Sequence, residues 1–330
     1  MINFAICGFG FMGSTHARCL AGRSDARLGA IVDNNLSNLE SADRKGNLAM
    51  KAPEVRLEGV RLHTDLEAIL TMPEIDVVDI CLPLRLHYDW TMRALKAGKH
   101  VLLEKPMLPD PAQGRELIDL AHRNGRILMV AHVVRFMPAY RTLRNMLKDG
   151  RWGPLELLIM QRWAGEPGWG MWKAAEVRRS SGGGLFDMLI HDIDMVNWLL
   201  GKPSRIQSHA FAGAISDHDF VNAVWHYENG PDVVLNGGFA FHSRLPFEAR
   251  FLARFNKATV TFDSARPGVL NVANGQNVES VTLEQDPLEG YRREIAYFIE
   301  CVKTQCWPEE CSPESSIEAV ELALDHLPGH

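Results

Sequence analysis

Apolar runs and amphipathic segments alternate along the first 130 residues of the chain. Short apolar runs that predict buried strands occupy Ile2–Cys7, Arg27–Val32, Asp76–Leu82, Lys99–Leu103 and Ile127–Ala131. The segments between them have helical spacing, at Ser14–Leu20, Leu66–Leu70, His87–Ala97 and Ala112–Asn124. Strands that alternate with helices indicate a parallel, doubly wound sheet, and hence an α/β fold.

The pattern changes from about Arg135, where a helix at Pro138–Asp149 is followed mainly by strand-like stretches. These stretches are Leu155–Trp163, Arg205–Ala214, Phe220–Tyr227, Val233–Ala240, Ala249–Phe255 and Ala258–Phe262. The turn at residues 228–231 (ENGP) predicts a hairpin between two of them. Long strands with few helices between them favour a mixed or antiparallel sheet with one covered face. Helices at Gly290–Lys303 and Ser315–His326 end the chain, and we expect domains at 1–130 and 131–330.

One helix of the second part, at Leu185–Leu200, is apolar on nearly all sides, which is typical of a buried helix. It nevertheless contains Asp187, His191 and Asp194, at positions i, i+4 and i+7. An α-helix places these positions on one face. Three interpretations are open: a hydrogen-bonded core network, a metal site, or an acid/base pair formed by Asp187 and His191.

A glycine motif follows the first predicted strand. Gly8, Gly10 and Gly13 form a GxGxxG sequence that opens a helix, and Asp33 ends the next strand 20 residues beyond Gly13. This context is typical of a dinucleotide site, in which the glycines admit a pyrophosphate and the carboxylate binds the ribose hydroxyls. Because a carboxylate repels a 2′-phosphate, Asp33 favours NAD over NADP.

A lysine stands among apolar residues in the stretch LLEKPML at 102–108. A buried charge is costly unless it is paired or used. Lys105 follows a predicted parallel strand, and ligands of such sheets lie beyond the carboxyl ends of the strands. We therefore expect Lys105 beside the nicotinamide end of the cofactor, with Pro83 at the end of a neighbouring strand.

Charge and composition exclude several classes of protein. The net charge is −6, and no basic run is long enough for a nucleic-acid or membrane footprint. No apolar stretch approaches the length of a membrane span. The six cysteines include no CxxC motif and predict reduced thiols rather than a metal site. We expect a cytoplasmic protein without a bound metal.

Four segments together resemble the Gfo/Idh/MocA oxidoreductase family. They are GFGFMG at 8–13, DICLPLRLH at 79–87, ALKAGKHVLLEKP at 94–106 and GGGLFDMLIHDIDMVNWLLG at 182–201. The resemblance implies a Rossmann domain followed by an α/β domain with a large open sheet that forms homodimers or homotetramers. It implies that Lys105 is the catalytic-site lysine, turned by Pro106 through a cis peptide, that Asp187 binds substrate and that His191 exchanges the proton.

The expected cofactor site contains Gly8, Gly10, Phe11, Met12, Gly13, Asp33, Pro83, His87, Glu104 and Lys105. The expected substrate site contains Lys105, Asp187, His191, Arg135, Trp163 and Trp169. The loop at 162–172 (RWAGEPGWGMW) is rich in Trp and Gly, and Trp169 or Trp172 could stack on a sugar ring or could pack internally. The chain departs from the family at 132–136 (HVVRF), where valines replace polar residues that can face the pocket.

These observations predict an NAD(P)-dependent dehydrogenase that oxidises a secondary hydroxyl of a sugar, cyclitol or polyol, or reduces the corresponding ketone. Two alternatives stay open. One is an enzyme that retains NAD through an epimerisation, elimination or sugar transformation, and the other is a non-catalytic NAD sensor on the same fold.

Overall fold

The computed structural model describes residues 1–34, 55, 57–168, 172 and 174–327. The chain divides into two compact units. Met1–Val133 and Gly290–Ile317 belong to the first unit. Val134–Gly168, Ala174–Glu289 and the chain from Glu318 belong to the second. Trp169, expected to bind substrate, lies outside the described residues.

The first unit is built on a six-stranded parallel sheet. Its strands are β1 (Ile2–Cys7), β2 (Ala26–Val32), β3 (Arg61–His63), β4 (Val77–Ile80), β5 (His100–Glu104) and β6 (Leu128–Ala131). Their order is β3-β2-β1-β4-β5-β6, which confirms the predicted Rossmann sheet. Helices α1 (Phe11–Leu20), α2 (Glu67–Leu70), α3 (His87–Lys96) and α4 (Pro111–Arg123) connect the strands.

Strands β4 and β5 are buried at every position, as expected for strands with both faces covered. The order reverses between β1 and β4, and Gly8 and Cys81 follow these two strands. This reversal is the point at which open α/β sheets bind ligands.

The second unit contains an eight-stranded sheet and the helices that pack on it. Helix α5 (Pro138–Asp149) is followed by β7 (Leu155–Gly165), α6 (Ala175–Ser180), a π-helical turn (Leu185–Leu189) and α7 (Ile190–Leu200). The remaining strands are β8 (Arg205–Phe211), β9 (Phe220–His226), β10 (Asp232–Phe241), β11 (Glu248–Phe255), β12 (Ala258–Asp263), β13 (Val269–Asn274) and β14 (Val278–Thr282). Helix α8 (Glu289–Thr304) belongs to the first unit apart from its first residue, and α9 (Pro313–Leu324) begins in the first unit and ends in the second.

The strand order of this sheet is β14-β13-β12-β11-β7-β10-β9-β8. Among the described strands, neighbours are antiparallel except β7 and β10, which are parallel, so the sheet is mixed as predicted. The predicted hairpin between β9 and β10 is confirmed. In β11, buried Ala249, Phe251 and Ala253 alternate with less buried neighbours, which is the pattern of a sheet with one covered face.

The sequence did not predict three of the strands, and it predicted an α-helical start for a helix that begins as a π-helix. Strand β3 has only three residues, and β14 is an edge strand of largely exposed residues, so neither has the apolar signal of a core strand. Strand β13 was also missed. The helix predicted at Leu185–Leu200 begins as a π-helical turn, in which the amide of Ile190 donates to the carbonyl of Leu185. No described helix has the length and apolarity needed to cross a bilayer.

Candidate active site

The glycine motif forms a tight turn between β1 and α1. Gly8 has a φ of +88°, and a Cβ there would lie 2.5 Å from the carbonyl oxygen of Cys81. A Cβ at Gly13 would overlap the carbonyl oxygen of Gly8. The protein's own packing therefore requires glycine at both positions. Gly10 is different, because a Cβ there would meet no protein atom within 4 Å. A closely approaching ligand would explain a glycine at this position.

The same turn leads into the N-terminus of α1. The N-cap residue Gly10 supplies no side-chain cap for the first turn of the helix. Gly10, Phe11 and Met12 are partly exposed, whereas Phe9 is buried. Oδ2 of Asp33 accepts the Phe9 amide at 2.8 Å, which fixes this carboxylate against the turn. A helix N-terminus beside an oriented carboxylate suits the pyrophosphate and ribose of NAD, so these residues could hold that cofactor.

Lys105 stands at the carboxyl end of β5. In the fully described segment Val101–Leu108, Lys105 is the one residue that keeps partial exposure. The peptide bond to Pro106 is cis, as the family resemblance implies. Oε2 of Glu104 accepts the Lys105 amide at 3.1 Å. The strand end therefore directs a cationic side chain out of a buried segment.

His87 occupies a different role from the cofactor contact expected from the sequence. Its ring is 1% exposed, with Nδ1 3.0 Å from the carbonyl oxygen of Pro106 and Nε2 2.9 Å from that of Leu82. Burial lowers the pKa of this ring, so it is neutral at pH 7 and donates through one nitrogen. His87 connects the backbone that follows β4 with the backbone that follows β5. Pro83 lies in the first of these segments and is partly exposed. The buried ring of His87 thus contacts the protein's own backbone and does not support the cofactor contact expected from the sequence.

Asp187 and His191 have a distinctive placement in the second unit. In the described segment Gly183–Asn197, these two residues keep partial exposure and the others are buried. Asp187 lies in the π-helical turn and His191 in the first turn of α7. π-helical turns occur frequently at functional sites. The structure thus exposes a carboxylate and an imidazole together on an element that is otherwise core.

Asp194 does not share that exposure, contrary to the single stripe predicted from an α-helical spacing. It is fully buried and binds the Arg135 guanidinium through two hydrogen bonds, at 2.8 and 2.6 Å. Arg135 is 1% exposed, so this ion pair does not support the substrate contact expected for it. The physical reason is that a buried guanidinium needs a carboxylate partner.

Asp192 forms a second buried pair, with Arg162 of β7, at 2.8 and 3.0 Å. Burial alone would lower the pKa of Arg162, but the Asp192 carboxylate outweighs this effect and raises it. Because consecutive strand residues project from opposite faces, Trp163 lies on the face away from α7. The Arg250 guanidinium lies 5.8 Å from its ring. The structure therefore corrects the expectation that Trp163 joins Asp187 and His191.

The start of the π-helical turn is anchored by Asp219, a residue that sequence reasoning missed. Asp219 is 1% exposed, and its carboxylate accepts the Ile215 amide at 2.8 Å and the Ser216 hydroxyl at 2.6 Å. Its carbonyl oxygen accepts the Phe239 amide at 2.8 Å. Added Cβ atoms would overlap this carbonyl oxygen at Gly184 and at Gly238. Nothing in the local sequence pattern of SDHDF identifies Asp219 as the anchor.

Two family models match the chain and identify it as an oxidoreductase with a dinucleotide-binding domain. Residues 2–132 match the family model described as an oxidoreductase family with an NAD-binding Rossmann fold. Residues 140–261 match the C-terminal domain of the same family. The chain belongs to the Gfo/Idh/MocA family, and NAD is its cofactor.

Relatives with named activities align with this chain over nearly all of its length or over about two thirds of it. The inositol 2-dehydrogenase of Rhizobium meliloti strain 1021 is 27% identical over 98% of this chain and 94% of its own length. The D-glucoside 3-dehydrogenase of Escherichia coli K12 is 32% identical over 64% of this chain and 58% of its own length. A crystal structure provisionally assigned as a myo-inositol dehydrogenase of Sinorhizobium meliloti 1021 is 26% identical. It has a TM-score of 0.78 and covers 98% of this chain and 95% of its own.

Proposed function

We propose that the protein is an NAD-dependent dehydrogenase that oxidises a secondary hydroxyl of a sugar, cyclitol or polyol, or reduces the corresponding ketone. The observation that carries this proposal is the partial exposure of Lys105, Asp187 and His191 in segments that are otherwise buried. A cation, a carboxylate and an imidazole can stabilise the reacting oxygen, orient the substrate and accept the hydroxyl proton in an alcohol oxidation. Exposure makes each of them available to a substrate.

Each side chain has a separate task in the proposed mechanism. His191 takes the hydroxyl proton, a step suited to an imidazole near neutral pH. Lys105 donates a hydrogen bond to the reacting oxygen and stabilises its developing negative charge. Asp187 binds a neighbouring hydroxyl and so orients the substrate. NAD, when bound, supplies the hydride acceptor.

The names of the relatives support a polyhydroxylated substrate. The R. meliloti relative is named for inositol and the E. coli relative for a D-glucoside, and both are named dehydrogenases. These names do not favour an enzyme that recycles retained NAD without net oxidation. A sensor without catalysis would also have no use for the acid/base set.

A substrate screen tests the proposal directly. Purified protein is incubated with inositols, aldoses, anhydrosugars and glycosides, with NAD and with NADP, and absorbance of the reduced cofactor is followed. We expect net NADH formation with at least one cyclic polyol and a preference for NAD. Cofactor that co-purifies with the protein and is never reduced by any member of the panel would contradict the dehydrogenase proposal and favour the retained-cofactor alternative.

We also propose a homo-oligomer that uses the sheet of the second unit. Val224, Val234, Ile159 and Leu252 pair in register across four neighbouring strands and are all partly exposed. Such an apolar row on a sheet face suits contact with a second copy of the chain. Light scattering of the wild type and of Ile159→Arg tests this, because the charge should reduce the oligomer to smaller species. A wild type that is monomeric at every concentration would refute it.

The domain boundary near residue 130 and a cytoplasmic location complete the proposal. The boundary is supported by the change in hydrophobic pattern near Arg135, and the location by cysteines in strand-like apolar runs, such as Cys7 and Cys81. Limited proteolysis of the full chain, with cleavage expected near residue 130, tests the first, and cell fractionation tests the second.

A further inference from the structure

A histidine buried beneath the glycine turn contacts two carboxylates. His16 lies on α1, three residues beyond Gly13, and is 0% exposed. Its Nδ1 lies 2.9 Å from Oδ2 and 3.1 Å from Oδ1 of Asp79 on β4. Its Nε2 lies 3.4 Å from Oε1 of Glu104, the last residue of β5. The imidazole therefore lies between acidic groups on two neighbouring strands of the first unit.

This arrangement favours a positively charged ring. Asp79 is 0% exposed and Glu104 is 7% exposed, and two carboxylates in such positions are costly without a cation. Burial acts to lower the pKa of His16, but Asp79, Glu104 and Glu294 together raise it to about 9. Burial raises the pKa of Glu104, and the charge of His16 is the largest influence that opposes the rise. A protonated His16 thus helps to keep Glu104 ionised at neutral pH.

Glu104 continues the connection to the candidate catalytic lysine. While Oε1 faces His16, Oε2 accepts the backbone amide of Lys105 at 3.1 Å. A single carboxylate thereby contacts an imidazolium on one side and the backbone that aims Lys105 on the other. Hydrogen bonds to an ionised carboxylate are stronger than those to a neutral acid. The strength of the contact to Lys105 therefore depends on whether Glu104 is charged.

We propose that His16 is a positioning residue that acts through Glu104, holding it as a carboxylate so that Glu104 fixes the backbone of Lys105. The proposal rests on the proposed function in one respect, the catalytic role of Lys105. The proposal gives His16, a residue of the helix expected to bind the cofactor phosphates, a part in positioning Lys105. The NAD-binding helix and the reacting end of the site are thereby connected through the interior of one unit.

Cys81 also contacts His16 and Asp79. Sγ of Cys81 lies 3.6 Å from Nδ1 of His16 and 3.5 Å from Oδ1 of Asp79. A neutral substitute for His16 would leave the buried carboxylates of Asp79 and Glu104 without the cation between them, so the response should appear at Glu104 and at the Lys105 amide.

Hydrogen exchange of the Lys105 amide tests this connection without any substrate. The variants are His16→Gln, Glu104→Gln and the double variant, with exposed His122→Gln as the matched control. We expect each single substitution to reduce protection of the Lys105 amide at least tenfold, and the double variant to add little. The Leu103 amide on the same strand should be unchanged, and the affinity of His16→Gln for NADH should stay within about threefold of the wild type. Unaltered protection in His16→Gln, or effects that add in the double variant, would overturn the proposal.

A second measurement uses the wild type and does not depend on the folding of any variant. Protection of the Lys105 amide, corrected for intrinsic exchange, is followed from pH 7 to pH 10. We expect it to fall as His16 deprotonates near pH 9, while Leu103 keeps its protection. A flat profile for Lys105 would contradict the role of the charge. Turnover separates the two proposals: if the amide responds but no polyol is oxidised, the dehydrogenase proposal fails and the positioning by His16 stands.

Once the screen has identified a substrate, His16→Gln should lower kcat at least tenfold and change KM by less than about threefold. A change in KM alone would be evidence against positioning of the reacting lysine.

Discussion

Arg135 and Asp194 form a two-hydrogen-bond ion pair in the core of the second unit, with a Trp198 ring 5.6 Å from the guanidinium. Neither side chain is more than 1% exposed. Arg135 follows β6 in the chain and Asp194 lies on α7, so the pair ties the first segment of this unit to the helix of His191. Its geometry indicates a structural role for both residues.

Breaking this pair should destabilise the protein strongly. Arg135→Met leaves Asp194 buried without its cation, which costs about 3–5 kcal/mol. Urea unfolding followed by tryptophan fluorescence measures the loss. The matched control is Arg151→Met, because Arg151 pairs with Asp149 at the surface and both side chains are largely exposed. We expect the control to change stability by less than about 1 kcal/mol, and equal losses in the two variants would refute the structural assignment.

Removing the proposed catalytic groups should abolish turnover and leave cofactor binding intact. Lys105→Met and His191→Ala should each lower kcat by at least about a hundredfold. The reason is that one loses oxyanion stabilisation and the other the proton acceptor. NADH affinity, measured by fluorescence titration, should change by less than about threefold. The controls are Lys96→Met and His209→Ala, at exposed positions, which should retain full activity. Near-normal turnover in either test variant would contradict the roles.

Two glycines of the motif should respond differently to alanine. At Gly10 an added Cβ meets no protein atom, so Gly10→Ala should fold normally but bind NADH at least about tenfold more weakly, because the methyl group occupies the pyrophosphate approach. At Gly13 the Cβ overlaps the carbonyl of Gly8, so Gly13→Ala should lose about 1–3 kcal/mol of stability. Titration with NADH and thermal unfolding of both variants provide the comparison. A Gly10→Ala protein with unchanged affinity would argue against the assigned pyrophosphate site.

Acid should destabilise the second unit through His326. Nε2 of this buried ring accepts the Trp225 indole N–H at 3.0 Å, and Nδ1 donates to the carbonyl of Leu322 at 2.6 Å. Only a neutral ring can do both. Burial lowers the pKa of His326 to about 4, below the value near 6.5 in the unfolded chain. The contribution is therefore complete above pH 6.5 and is lost as the pH falls toward 4.

The size of this contribution is about 3 kcal/mol, from the difference between the two pKa values. Urea unfolding at pH 7.0 and pH 4.5 should show a smaller pH dependence for His326→Gln than for the wild type. Exposed His209→Gln should keep the wild-type dependence. If His326→Gln also kept it, another group would carry the effect.

Much of the fold could be predicted because the local pattern of apolar and polar residues indicates which segments are buried. The runs that became β1, β4 and β5 are mainly apolar and almost entirely buried, since both faces of a parallel sheet are covered. Strand β14 lacked such a signal because an edge strand buries little. The π-helical turn was not predictable either, since helical spacing in a sequence does not distinguish an α-helical start from a π-helical one, and Asp219, which packs against the start of the turn, is distant in sequence.

The site was only partly predictable for a similar reason. A lysine within an apolar run can be recognised from the sequence alone. Because burying a charge is costly, its exposure could be expected. The partners of Arg135 and His16 lie 59 and 63 residues away along the chain. No local pattern reveals such pairings, so the sequence suggested a substrate contact for Arg135 and gave no role to His16. The substrate contact expected for Trp163 was wrong because the sequence does not show on which face of its strand an aromatic residue lies.

The glycines packed around Asp219 limit how the enzyme can diversify. Gly184 and Gly238 cannot acquire side chains without displacing the loop that holds the π-helical turn. Libraries that aim at new substrates should therefore leave these two positions and Asp219 unvaried. Variation confined to other positions leaves this packing around the start of the helix in place.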